Sequence, residues 1–161
     1  MADISERPTM DARCLEHVLT DEEREFFNTQ GYLTVENALE PEATDRLIKV
    51  VDRIDERERI HDRRGTLMSF ANIIHEDDAF VDLLDLPATL PKVWGVLGWN
   101  IYLYHSHLDI TPPAGARPAD IPNCKTWSVA WHQDSMRVND EIEVDPRPRL
   151  SVKVGFYLTD V

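Results

Sequence analysis

The sequence is short of the residues that mark several common biochemical classes. It has two cysteines, Cys14 and Cys124, 110 positions apart and in no CxxC pair. Two distant thiols make neither a disulfide scaffold nor a zinc ribbon, and they fit a reducing compartment. Its six glycines form no GxGxxG or P-loop arrangement, so no phosphate cradle is legible. No GxSxG nucleophile elbow occurs. Positive charge is also scarce, with 17 Lys and Arg against 30 Asp and Glu, a net charge of −13. A surface that negative repels phosphate backbones and anionic lipid heads, which speaks against nucleic acid and membrane partners. The longest uncharged run, Val93–Leu108, has 16 residues and is broken by Gly, Asn and His. That is short of the roughly 20 apolar residues of a membrane helix. The N-terminal MADISERPTM has no apolar signal-peptide core. These absences predict a cytoplasmic protein.

What is present suits one globular domain. The chain has 161 residues, 42% of them hydrophobic, enough for a core. Residues 1–18 show no clear period and read as a loose lead-in. Thr20-Asp-Glu-Glu23 is a capping-box pattern that opens a helix carrying Phe26 and Phe27, and Gly31 ends it. Tyr32–Val35 reads as a short strand. Pro41 suits the first turn of a second helix, along which Leu47, Ile48, Val51 and Ile54 recur at helical spacing. Its charged residues, Asp52 to Glu58 apart from Ile54, read as a solvated face. Leu67–Ile74 is a strand candidate, and helices are predicted around Asp77–Leu84 and Pro87–Leu97. From Trp99 the pattern turns toward strands. Trp99–Ile110 is aromatic and β-branched up to Pro112-Pro113, Trp127–Gln133 reads as a strand, and Leu150–Leu158 alternates.

The residues with the clearest chemistry are His132 and Asp134 in Trp131-His132-Gln133-Asp134. In an extended chain i and i+2 share a face, so an imidazole and a carboxylate stand side by side. A neutral imidazole with a hard carboxylate is two thirds of the facial triad of non-haem Fe(II) oxygenases. His105 and His107 form a second i, i+2 pair. His17, His61 and His75 fall in helix or loop contexts and read as surface residues, and Asp109 and Glu76 read as solvated.

The wider context carries a resemblance. LTDEEREFFNTQGYLTVENALEPEATDRLIKVVDRI (19–54), YHSHLDITPP (104–113), WHQD (131–134) and LSVKVGFYLTDV (150–161) occur in this order. Together they resemble the phytanoyl-CoA dioxygenase family of Fe(II)- and 2-oxoglutarate-dependent oxygenases. The resemblance implies a mainly β fold: an incomplete double-stranded β-helix (jelly-roll) core behind N-terminal helices, over residues 19–161. It implies Fe(II), 2-oxoglutarate as cosubstrate and ascorbate as reductant, acting on a small-molecule substrate. It makes His132 and Asp134 metal ligands and puts Gln133, His107 and Phe156 at the cosubstrate.

Part of the family pattern has no counterpart. The family's third ligand is a His well downstream of the first two, followed by an Arg that grips the far carboxylate of 2-oxoglutarate. Here His132 is the last histidine, with 27 residues after Asp134, and Arg137, Arg147 and Arg149 lie directly after the motif. Five strand candidates stand against the eight of the family's core. The sequence thus resembles the first half or so of such a domain. Two alternatives follow: a truncated or degenerate non-catalytic fragment, or a cupin-like metal-binding protein that uses His105 or His107 with His132 and Asp134.

Overall fold

The structure, a computed structural model, describes residues 12–58, 68–111, 134 and 136–159. These fall in two compact units. The first is built from residues 12–40, 82–102 and 149–157, and the second from the remainder.

In the first unit a 3-10 turn, Ala12–His17, buries Cys14. Helix α1, Asp21–Gln30, begins as the capping box predicts. The Glu23 N–H donates to Thr20 Oγ1 at 3.2 Å, and the Thr20 N–H donates to Glu23 Oε2 at 2.9 Å. The helix ends where Gly31 takes a left-handed φ of 81° and its N–H donates to the Phe27 carbonyl. A side chain at that φ would be strained, which is why glycine stands there. The same unit holds α4, Leu90–Leu97, which packs against the 3-10 turn. Lys92 of α4 reaches Glu23 with Nζ 2.7 and 2.6 Å from the two carboxylate oxygens, and it also donates to the Val18 carbonyl. Arg24 donates to the Gly95 carbonyl at 2.8 Å. The cap of α1 is therefore also its tether to α4. Partial burial pulls the Glu23 carboxyl upward. The Lys92 hydrogen bond, the Thr20 N–H and the Lys92 charge outweigh it, so Glu23 titrates below its ordinary range.

The second unit is organised by α2, Pro41–Glu58, with Pro41 at its start as expected. Leu47, Val50 and Ile54 are buried, and Ile48 and Val51 are half-buried beside them. That stripe packs against α3, Asp78–Val81, whose Ala79 and Phe80 are buried. The polar side of α2 is more than a solvated face. Arg53 binds Asp77 at 2.9 Å, Arg46 lies 3.4 Å from the same carboxylate, and Arg57 binds Glu76 at 2.8 Å. Asp77 also accepts the Ala79 N–H and so caps α3. That N–H first, then Arg53, lowers its acidity range. Glu76, which the sequence reads as solvated, has a largely covered side chain, and its hydrogen bond with Arg57 holds its carboxyl low.

The second unit also holds the strands β1, Met68–Ala71, and β2, His107–Ile110. They pair antiparallel, Met68 with Ile110, Ser69 with Asp109, Phe70 with Leu108 and Ala71 with His107. The Asn72 N–H adds one further bond, to the Ser106 carbonyl, before Asn72 turns left-handed at φ 61° into a second 3-10 turn, Ile73–His75. Helix α5, Met136–Glu141, lies in this unit as well.

The mainly β, jelly-roll expectation is overturned. Among the described residues there are five α helices and only this two-stranded sheet. Trp99–Ile110 is a strand only over its last four residues. At its start Trp99 stacks on Trp94, ring centroids 4.2 Å apart, and the Ile101 N–H folds back onto the Trp99 carbonyl. That three-residue turn takes the chain out of any ladder. Tyr32–Val35 and Leu150–Leu158 join no ladder either, and of the alternating face of the latter Val152, Phe156 and Leu158 are half-buried while Leu150 and Val154 are exposed. Trp127–Gln133 lies outside the described residues. The physical reason is general: a strand is completed by a partner's hydrogen bonds, and period-2 patterning supplies no partner.

Candidate functional site

The best-defined group of chemically active side chains lies on β2 and the residue pair before it. From 105 to 110 exposure alternates. His105, His107 and Asp109 are exposed, while Ser106, Leu108 and Ile110 are half-buried. This is the period of an extended chain, and it puts two imidazoles and a carboxylate on one open face. The ladder sets small residues beside them, Ala71 opposite His107 and Ser69 opposite Asp109. Two strand positions apart, the histidine rings meet. Their Nδ1 atoms are 3.3 Å apart, with ring centroids at 4.9 Å and planes tilted by 32°. On the far side of the same ring, His107 Nε2 is 3.2 Å from Asp109 Oδ2.

The two distances fit one pair of neutral tautomers. With a proton on His107 Nε2 facing the carboxylate, which only accepts, Nδ1 of that ring holds the lone pair, and the imidazole–imidazole contact is satisfied when His105 donates from its own Nδ1. Tyr104 adds an aromatic neighbour, its ring centroid 6.4 Å from that of His105.

The other residues singled out in the sequence are placed as follows. His132 and Gln133 lie outside the described residues, as do His61, Trp127 and Trp131. Asp134 is exposed, two positions before α5. Phe156 is half-buried in the first unit, whereas His107 belongs to the second. His17 closes the first 3-10 turn, and His75, largely exposed, lies 3.2 Å from Glu76. Among the described residues no three His, Cys, Asp or Glu side chains come together to hold a metal ion. The described residues thus supply no complete iron site. Asp109 is the partner that sequence reasoning passed over. Its signal was the i+2 spacing from His107, the same rule that pairs His105 with His107.

No family model matches this chain, and no curated protein or solved structure does so either. Among the described residues no helix is long and apolar enough to cross a membrane.

Proposed function

We propose that the chain belongs to an Fe(II)- and 2-oxoglutarate-dependent oxygenase that hydroxylates a small organic substrate in the cytoplasm. The observation that carries this reading is the order of YHSHLDITPP, WHQD and LSVKVGFYLTDV behind the two N-terminal helices. In it His132 and Asp134 are two of the iron ligands, a nitrogen and a hard oxygen suited to a first-row divalent ion. In the same reading Gln133 and His107 serve the cosubstrate. The exposed carboxylate of Asp134 and the open face that carries His107 leave both side chains accessible from solvent. Bound iron would supply the redox chemistry, and the protein's share is to orient the reactants.

The test is succinate formation by the purified chain given Fe(II), ascorbate and 2-oxoglutarate, beside His132→Ala and Asp134→Ala. Uncoupled turnover requires no knowledge of the substrate. Succinate that disappears in both variants supports the reading. Succinate at the parent's rate in either variant removes that residue from the metal, and none from the parent makes this chain non-catalytic.

A further inference from the structure

We propose that His105 and His107 form a two-nitrogen chelate for a borderline divalent transition metal, with Asp109 orienting the second ring. The site would take Cu(II), Ni(II) or Zn(II), and its ligands are residues other than His132 and Asp134. It does not rest on the oxygenase reading.

Three features of the structure carry it. The first is distance. With metal–imidazole bonds of about 2.0–2.1 Å, two nitrogens 3.3 Å apart subtend about 104–111° at a shared ion. That is a tetrahedral angle, so the two Nδ1 atoms are the right distance apart for one ion, which binds once the rings turn from facing each other to aim both lone pairs at it. The second is the carboxylate. A ligating histidine usually donates its other N–H to a carboxylate, which fixes the tautomer and raises the basicity of the ligating nitrogen. Asp109 Oδ2 stands 3.2 Å from His107 Nε2, in place for that role, and a proton held there leaves Nδ1 as the lone-pair nitrogen. The third is access. His105, His107 and Asp109 are exposed, and the ladder neighbours Ala71 and Ser69 are too small to cover the rings.

From that neutral tautomer pair, binding moves one proton and releases none. His105 shifts its proton from Nδ1 to Nε2, and the ion takes both Nδ1 lone pairs, so each ring ends as a neutral Nε2–H imidazole. Two protein nitrogens leave the other coordination positions to water. Imidazole donors favour Cu(II) over Ni(II) and Zn(II), in the usual order of divalent affinities, and leave Fe(II) weaker than all three. The chain's net charge of −13 raises the local concentration of any divalent cation.

The experiment is a calorimetric titration of the full chain with Cu(II) alone and Ni(II) alone, with electron paramagnetic resonance of the Cu(II) form. The expected result is a tightest site of one ion per chain, with hyperfine structure from two imidazole nitrogens. His105→Ala and His107→Ala each remove that site, Asp109→Asn weakens it about tenfold or more, and the paired change His132→Ala with Asp134→Ala leaves it unchanged. Circular dichroism of each variant separates loss of the site from loss of the fold. A tightest site that survives both His105→Ala and His107→Ala overturns the proposal. So does one that vanishes with His132→Ala and Asp134→Ala, because the pair would then be part of a larger centre. Succinate formation reads His132 and Asp134, so failure of the oxygenase reading shows in that assay and leaves this titration untouched.

Discussion

Replacing Lys92 by Met should cost about 1–2 kcal/mol of stability at neutral pH, and most of that cost should disappear in acid. The ammonium sits 2.7 and 2.6 Å from the two Glu23 oxygens and 3.3 Å from the Val18 carbonyl. A hydrogen bond to a charged group contributes about 1.5–3 kcal/mol when well buried, and an exposed ion pair about 0–1. Lys92 is 15% and Glu23 29% exposed, so the pair belongs between those limits. Methionine keeps the apolar stem of Lys92 and deletes only the charge, so the measured loss is electrostatic. The pH dependence follows from Glu23. Its carboxyl titrates below the ordinary 4.5 in the folded chain, so its contribution is complete above 4.5 and is lost as pH falls through the folded value. Urea unfolding of parent and variant at pH 7 and below pH 4 makes the comparison, and the melting temperature at pH 7 should fall by about 3–6 °C. Equal stability at pH 7, or a difference that persists unchanged in acid, would refute the assignment of Lys92 and Glu23 as a tether between α1 and α4.

The other predictions concern single contacts. Gly95→Ala improves helix propensity in α4, yet its new Cβ would stand 2.7 Å from Leu19 Cβ, an atom that cannot swing aside. The net effect should be a loss of about 1–3 kcal/mol, and a stabilised variant in urea unfolding would contradict that contact. Ile54→Ala in α2 empties a site with no solvent exposure and should cost about 2–5 kcal/mol, read as a lower denaturant midpoint with an unchanged slope. Asp77→Asn keeps a capping side chain for α3 and removes the charge that faces Arg53. Its melting temperature should fall at pH 7 and converge with the parent's as pH drops below the ordinary 3.8, because Asp77 is depressed in the folded chain. A gap that stays constant with pH would show that the charge contributes nothing.

Helices α1 and α2 were legible in the sequence because the signals that start and stop them are local, whereas α5 carried no such signal. Thr20 and Glu23 sit three residues apart and satisfy each other's backbone N–H groups, and Gly31 ends α1 by its own φ. Pro41 and the stripe from Leu47 to Ile54 likewise depend on neighbours within one or two turns. Non-local pairing left no such mark. Leu150–Leu158 alternates as well as any strand, yet it forms no ladder among the described residues, because alternation states which face is apolar and not which chain lies alongside. The charged face of α2 was under-read for the same reason. Arg46, Arg53 and Arg57 find Asp77 and Glu76 across 19 to 31 positions, a distance at which spacing rules are silent.

The histidine pair shows where that boundary falls. The geometry that brings His105 and His107 together is a property of the extended backbone, and it needs no knowledge of the fold. Exposure alternates strictly from 105 to 110, although the ladder covers only 107 to 110. Co-facing of i and i+2 therefore survives where the sheet that motivated it does not. The same rule reaches Asp109 from His107, and it makes a carboxylate–imidazole–imidazole row out of three alternate residues. A mainly β architecture required every strand candidate to find its partner, and the described residues supply one ladder. The row required only that one short segment be extended, which explains why its chemistry can be derived from the sequence while the fold around it could not.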